Sequence, residues 1–251
     1  VGWDGRRRPP VWLGAIGDGP TEWRIPVPLA DVPPHLIDAV LAVEDQRFFD
    51  HEGFDLRRIG GAFVANVRAG GVAQGGSTIT QQLAKNLFLS ADRTPLRKVR
   101  EAAIATVLES RYSKARILEA YLNEIYLGHD NGRAIHGVGA AARYYFGKDV
   151  DEVVLSEAAT LAAMIRAPNR LAPNRHPERV RARRNLVLQL MVEQGRIPER
   201  SRVQSSQVPV PTRVHPARDI DGRWFRDYAL EGVPRGMPRR GGALYATLAA
   251  R

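Results

Sequence analysis

The stretch HLIDAVLAVEDQRFFDH, residues 35–51, runs from an apolar segment directly into a cluster of acids and a histidine. A helix over this stretch would place on one face, at i, i+3, i+4 and i+7 spacing, Ile37, Val40, Leu41 and Glu44. A carboxylate on an apolar face costs free energy unless it is paired or used. The stretch therefore predicts a packed helix, and it marks Glu44 as a candidate functional residue.

The composition is that of a globular protein, with 44% hydrophobic and 25% charged residues in 251. The absence of cysteine excludes a disulfide framework and a thiolate metal site. A formal net charge of +10 favours an anionic partner, which could be a nucleic acid, a phosphorylated ligand or an acidic membrane surface. No apolar run reaches the 18 or so residues that a membrane span needs, and the chain begins at Val1, which favours a piece of a longer protein.

Apolar periodicity and cap signals predict a mainly helical body between about residues 35 and 195. A short strand is expected within TEWRIPVPL, residues 21–29, and the Pro-rich, aperiodic chain after residue 200 is typical of an extended linker. The helix at 94–113 should bury Leu96, Val99, Ala103 and Val107. The predicted helices are 35–49, 56–71, one opening at a Thr78–Gln81 capping box, 94–113, 114–128, 137–147, 155–168 and 177–195.

The segment GGSTITQQLAKN, residues 75–86, is the most informative part of the chain. A glycine pair and a Ser/Thr-rich turn precede a helix on which Thr78 or Gln81 shares a face with Lys85. The positive helix N-terminus and this lysine together suit a phosphate, although the order of a Walker loop is absent. An ordinary capped helix with a solvated lysine explains the segment equally well, and both interpretations stay open.

Five other polar positions have simpler explanations than a catalytic role. Arg97 and Glu101 are spaced i, i+4, which is typical of a surface ion pair of ~0.5 kcal/mol. Beside phosphate-binding cations, the acid could instead orient them or ligate a divalent ion. Glu119 and Asn123 fit the polar face of an amphipathic helix. His51 is expected to make an orienting hydrogen bond, because no histidine pair has metal-ligand spacing.

Taken together, these residues favour one reaction class. A half-buried acid that can act as a base, with cations available for a departing phosphate, suits glycosyl transfer from a sugar pyrophosphate.

The order of the motifs resembles that of the peptidoglycan glycosyltransferases (family 51), over about residues 22–200. The segments that carry the resemblance are EDQRFFDHEG (44–53), GGSTITQQLAKN (75–86), RKVRE (97–101), RILEAYLNEIYLG (116–128) and RAPNRLAPNRHPERVRARRNLVLQLM (166–191). Such domains occur in monofunctional transglycosylases and in class A (bifunctional) penicillin-binding proteins, and this chain looks like the 1B-like class A kind.

The resemblance implies a lysozyme-like fold, with a large head lobe and a smaller membrane-facing jaw lobe that would include residues 59–72. It divides the chain into an N-terminal extended segment, 1–33, a glycosyltransferase domain, 34–200, and a linker, 201–251. That linker would lead toward a transpeptidase domain, whose SxxK, SxN and KTG motifs are absent from this chain.

The resemblance also implies site residues and a reaction. Glu44 would take the proton from the 4-hydroxyl of the acceptor sugar, and Glu101 would be the second catalytic acid. Lys85 and Arg97 would receive the charge of the departing pyrophosphate. No cofactor is required, and a divalent cation, Mg²⁺ or Mn²⁺, held by Glu101 is the open alternative. The other residues lining the substrate are expected to be Asp45, Ser77, Thr78, Gln81, Gln82 and Asn86.

The implied partners are lipid II, the lipid-linked glycan chain and the membrane surface, and moenomycin is an implied inhibitor. The implied location is the outer, periplasmic face of the bacterial cytoplasmic membrane, with an anchor outside this chain, in cell-wall synthesis that sets cell shape. A lysozyme-like hydrolase that cuts glycan is the first alternative. A nucleic-acid-binding protein is the second, but stacking aromatics are missing and the arginines at 179–184 are expected on a solvated helix face.

Overall fold

The structure is a computed structural model that describes residues 11–15, 22–55, 76–89, 94–216 and 243–246. The predicted helix at 56–71 and the predicted jaw stretch at 59–72 lie outside the described residues.

The described body is mainly helical, as predicted. Single turns of 3₁₀ helix lie at Leu29–Asp31, Phe48–Asp50 and Val150–Glu152. The α-helices are α1 (Pro34–Glu44), α2 (Ile79–Phe88), α3 (Pro95–Arg111), α4 (Lys114–Glu124), α5 (Gly137–Phe146), α6 (Leu155–Met164), α7 (Pro177–Glu193) and α8 (Glu199–Gln207).

Helices α1, α6 and α7 pack together, and α5 lies against α4 and α6. Val40 and Leu41 of α1 are buried in this core, as the spacing of apolar residues predicted, whereas Ile37 is only partly buried and the fully buried neighbour is Leu36. Gly139 in α5 allows a close approach, because a Cβ there would lie 2.4 Å from the carbonyl oxygen of Ile25. The glycine therefore lets the incoming N-terminal segment cross directly over the helix.

A small sheet closes one side of the body. Its strands are β2 (Glu22–Arg24), β3 (Tyr126–Asp130) and β4 (Arg133–His136), with β4 in the middle, parallel to β2 and antiparallel to β3. A separate antiparallel pair joins β1 (Val11–Ala15) to β5 (Ala243–Ala246). The strand expected within residues 21–29 is thus confirmed as β2.

The prediction of one helix over 114–128 is wrong at its C-terminal end. Helix α4 ends at Glu124, and the chain then enters the β3–β4 hairpin. The turn between the strands is Asn131–Gly132, where both residues have positive φ, at 46° and 84°. This dipeptide is the preferred two-residue hairpin turn, so a strand signal was present in the sequence.

The predicted apolar face of α3 is also wrong. Leu96, Val99 and Val107 are 58%, 65% and 49% exposed, whereas Glu101 and Ala105 of the same helix are buried. Because α3 packs on α2 through the face that carries the acid, periodicity alone selected the opposite side.

The packed body extends beyond the predicted domain limits of 34 and 200 at both ends. Trp23 is 5% exposed and meets the ring of Tyr144 edge-on at 6.0 Å. At the other end, residues 201–207 belong to α8, which packs on α7, and the amide of His215 donates to the carbonyl of Tyr144 at 2.7 Å. Within the described ranges, no helix combines the length and the apolar character that crossing a bilayer would require.

Candidate active site

Glu44 is the last residue of α1, and it is half-buried, as its place on the apolar face predicted. Its carboxylate accepts a hydrogen bond from the side-chain amide of Gln82, with 2.9 Å between Nε2 and Oε2. Gln82 lies in the second turn of α2. The acid predicted as the base and a residue predicted to line the substrate are therefore in direct contact.

The next residue, Asp45, has a fully buried side chain. One carboxylate oxygen accepts the amide of Ile79 at 3.0 Å, and both oxygens lie within 3.1 Å of Nε2 of His51. His51 therefore orients this segment, as predicted. These bonds fix the C-terminus of α1 to the N-terminus of α2.

The N-terminus of α2 is already occupied by protein groups. Thr78 and Gln81 form the predicted capping box, and the Thr78 hydroxyl also donates to the carbonyl of Gly53 at 2.8 Å. With the amide of Ile79 donating to Asp45, three of the four initial amides of the helix are paired. Of the two interpretations left open for this segment, these contacts fit the capped helix, because the buried Asp45 carboxylate lies where an outside anion would bind.

A cluster of charged groups lies where α3 packs beside the start of α2. The buried Glu101 accepts from Arg97, as the i, i+4 spacing predicted, and from Lys98 at 2.7 Å. The Lys98 ammonium also donates to the hydroxyl of Ser77 at 2.7 Å, which connects the cluster to α2. Nε of Arg97 is buried and has no hydrogen-bond partner among the described residues.

Lys85 and Asn86 are exposed on the outer part of α2. Lys85 follows Gln82 by three residues, so the two side chains are neighbours on the helix surface. Helix α2 thus carries a cation within one turn of the amide that contacts Glu44.

Three residues of this region were not predicted as site residues. Lys98 is described above, and the hydroxyl of the buried Tyr121 donates to Oε1 of Gln82 at 3.2 Å. Burial and the nearby Arg166 lower the pKa of Arg183, while the charge of Glu44 acts in the opposite direction. Arg183 therefore interacts electrostatically with Glu44.

The expectation of a solvated helix face at residues 179–184 is wrong in part. Arg183 is half-buried and Arg184 is 1% exposed. The signal was available, because Arg184 lies four residues from both Val180 and Leu188, which are fully buried on the same face.

Comparison with known proteins identifies the family of this chain. The sequence profile of the family described as Transglycosylase matches residues 13–192. The chain belongs to the transglycosylase family. Membership confirms the resemblance seen in the sequence, and the described body is mainly helical, as that resemblance implied.

The relatives of this transglycosylase include class A penicillin-binding proteins. It is 48% identical to penicillin-binding protein 1B of Vibrio cholerae over 74% of this chain and 24% of that protein. It is 47% identical to penicillin-binding protein 1A of Aquifex aeolicus over 88% of this chain and 29% of that protein. The chain thus spans about a quarter of the length of the curated relatives it matches. The fold also matches a crystal structure of penicillin-binding protein 1A from Haemophilus influenzae, over 88% of this chain and 25% of the matched chain. The TM-score is 0.47 and the sequence identity 24%, so the likeness is distant.

The residues described in this transglycosylase do not fit the divalent cation suggested for Glu101. Both of its oxygens are engaged by cations, one by Arg97 and the other by Lys98. Nor do three or more His, Asp or Glu side chains in the described ranges gather as a metal ligand set. Among the described residues, the Glu101 carboxylate is instead paired with two cations.

Proposed function

We propose that this transglycosylase polymerises lipid II into β-1,4-linked glycan strands, with Glu44 as the general base. The observation that supports this most directly is the half-buried Glu44 held by Gln82, one turn before Lys85 on α2. Family membership and the class A penicillin-binding relatives favour the same reaction.

In this reaction, Glu44 takes the proton of the acceptor 4-hydroxyl of GlcNAc while the oxygen attacks C1 of the donor MurNAc from the opposite face to the leaving group. The C1–O bond to the lipid pyrophosphate breaks, its electron pair leaves with undecaprenyl pyrophosphate, and the configuration at C1 inverts. A general base in hydrogen-bond reach contributes about 10²–10⁴-fold to such a step.

We assign to Lys85 and Arg97 the stabilisation of the negative charge on the leaving pyrophosphate. Arg97 is oriented by its ion pair with the buried Glu101. Fixed cations stabilise developing charge most strongly where water is partly excluded. Ser77 positions Lys98 in the same cluster, and Asn86 is exposed beside Lys85.

Asp45, Thr78 and Gln81 contribute to this site by position. Their side chains are buried and engaged within the protein, so we assign them the anchoring of α2 against α1. Gln82 is the member of this segment that reaches the base itself.

We also propose that the domain acts at the periplasmic face of the cytoplasmic membrane, and that it precedes a transpeptidase domain in a longer protein. The relatives, about four times as long as the matched region, support the second part. The exposed apolar side chains Leu96, Val99 and Val107 of α3, in a chain of net charge +10, suit a lipid headgroup layer.

Glu44→Gln tests the proposal, because the change removes the base and is nearly isosteric. Incubated with lipid II in detergent micelles, the variant should lose polymer formation by at least about 100-fold. Glu119→Gln is the matched control, since this half-buried glutamate accepts the amide of Leu29 at 2.9 Å and an amide oxygen can still do so.

The control should polymerise at the wild-type rate, and both variants should unfold at similar denaturant concentrations. Unchanged polymerisation by Glu44→Gln would overturn the assignment of the base. Cleavage of mature glycan without polymer formation by the wild type would favour the hydrolase instead.

A further inference from the structure

A buried tyrosine connects the core of the domain to the proposed base. Tyr121 lies on the buried face of α4 and is fully shielded from solvent. Its hydroxyl donates to Oε1 of Gln82 at 3.2 Å, and Nε2 of Gln82 donates to Oε2 of Glu44 at 2.9 Å. Three side chains from three different helices thus form one hydrogen-bonded chain.

The chemistry of the three groups fixes the direction of this chain. An ionised carboxylate can only accept hydrogen bonds, so Gln82 must turn its NH₂ group toward Glu44. The amide oxygen then faces Tyr121, whose hydroxyl can donate to it. If the amide turned over, its oxygen would face the carboxylate and two acceptors would meet. Each bond in such a chain polarises and strengthens the next.

We propose that Tyr121 is a positioning residue for the reaction. Its hydroxyl holds the Gln82 amide in the orientation that directs the Glu44 carboxylate toward the acceptor hydroxyl. This inference rests on the proposed function, because it takes Glu44 as the base. Because Tyr121 is packed in the hydrophobic core, its hydroxyl has a fixed position. The two hydrogen bonds through Gln82 therefore restrict the movement of the Glu44 carboxylate at the end of α1.

The alternative is that the Tyr121 hydroxyl only satisfies its own hydrogen bond within the core. Tyr145 offers a matched control, because it is 2% exposed and its hydroxyl donates to the backbone carbonyl of Leu127 at 2.9 Å. Tyr145→Phe removes the same group from the same depth, but its partner is a backbone carbonyl of β3.

The test measures kcat and KM for lipid II polymerisation, per folded molecule, in Tyr121→Phe and Tyr145→Phe. Tyr121→Phe should lower kcat about tenfold with KM changed by less than about twofold, because a misoriented base slows the chemical step. Tyr145→Phe should keep the wild-type kcat. A loss of kcat that is equal in both variants, or absent from both, would overturn the inference.

A second arm asks whether Tyr121 acts through Gln82. Gln82→Met removes both amide bonds with little change in shape, so adding Tyr121→Phe to it should cause no further loss of kcat. Multiplied losses in the double variant would show independent effects and contradict the inference. Placing 4-aminophenylalanine at position 121 restores a donor, and it should return kcat to within about twofold of wild type.

The outcomes separate this inference from the proposed function. If Glu44→Gln polymerises normally, the base is misassigned and the inference fails with it. If Glu44→Gln is inactive while Tyr121→Phe polymerises at the wild-type rate, the base stands and only the role of Tyr121 is refuted. If Tyr121→Phe does not fold, the 4-aminophenylalanine variant must still reach the wild-type kcat, and a reduced value there refutes the inference.

Discussion

Two helix junctions in this domain place a buried charge at the end of a helix. At the junction of α1 and α2, the Asp45 carboxylate accepts the first helical amide of α2. At the junction of α7 and α8, the Arg184 guanidinium donates to the carbonyls of Ser206 and Val208, at the C-terminal end of α8. Each charge has the sign that the helix dipole favours at that end.

The two junctions differ in what stands beside the buried charge. Glu44 immediately precedes Asp45, is only half-buried, and meets Gln82 one turn along α2 from the amide that Asp45 accepts. At the second junction, Arg184 is followed by Asn185, whose side chain accepts two further bonds from the guanidinium. The first junction thus fixes the position of an adjacent acid, whereas the hydrogen bonds of the second involve only groups within the junction.

This difference explains how the buried Asp45 can fix the position of Glu44. Asp45 is fixed by bonds to Ile79 and His51, which determine where the backbone of α1 ends. The position of Glu44 then follows from the chain itself. We expect damage at the first junction to affect both stability and polymerisation, and damage at the second to affect stability alone.

Asp45→Ala should have the largest effect. It leaves the amide of Ile79 without its buried acceptor and removes the partner of His51, which should lower the free energy of unfolding by about 3 kcal/mol. Polymerisation per folded molecule should fall as well, because the end of α1 is no longer fixed. Urea denaturation and a lipid II assay measure the two effects. Asp45→Asn keeps an acceptor oxygen and should lose less of both, and full activity in folded Asp45→Ala would show that Glu44 is positioned independently.

Arg184→Met should have an intermediate effect on stability. The carbonyls at the end of α8 lose their donors, but a buried cation also disappears, and burial together with Arg181 lowers the pKa of Arg184. Because the relief of that desolvation offsets part of the loss, we expect about 1–2 kcal/mol in the free energy of unfolding. Polymerisation per folded molecule should match the wild type in the lipid II assay. A loss of activity in the folded variant would remove the distinction between the two junctions.

The sequence predicted the elements of the first junction better than those of the second. The apolar spacing before Glu44 and the Thr78–Gln81 cap are local signals, and both are confirmed. The chain also contained the spacing that buries Arg184, but charge patterning favoured solvent for the whole basic segment. The carbonyls that accept from this buried cation lie 22 and 24 positions away in the chain, so its partners have no local signature.

The remaining differences have the same physical origin. The hydroxyl of Tyr121 and the occupation of the α2 N-terminus by Asp45 depend on contacts across 39 and 34 positions of the chain. Nor does periodicity predict that α3 packs through the face carrying Glu101, because the choice depends on a pair of cations and on Ser77 of another segment. Local patterns predict the elements, whereas polar contacts between them decide which faces meet.

The smallest predicted effect concerns the other end of α8, where the charge is exposed. A hydrogen bond from Arg202 lowers the pKa of Glu199, at the first turn of the helix. A folded-state pKa below the unfolded value gives stability that is present above the unfolded pKa and lost as the pH falls through the folded value. Glu199→Gln should therefore lower Tm slightly above about pH 5.5, and the difference from wild type should shrink below about pH 4.5.

Thermal denaturation across that pH range measures this difference, and Glu178→Gln in the first turn of α7 is the control. Glu178 is 84% exposed and lies 3.9 Å from Arg181, so its replacement should change Tm less at every pH. A Glu199→Gln difference that grows on acidification would have the wrong sign for a stabilised carboxylate. It would mean that the exposed end of α8 contributes nothing to the second junction.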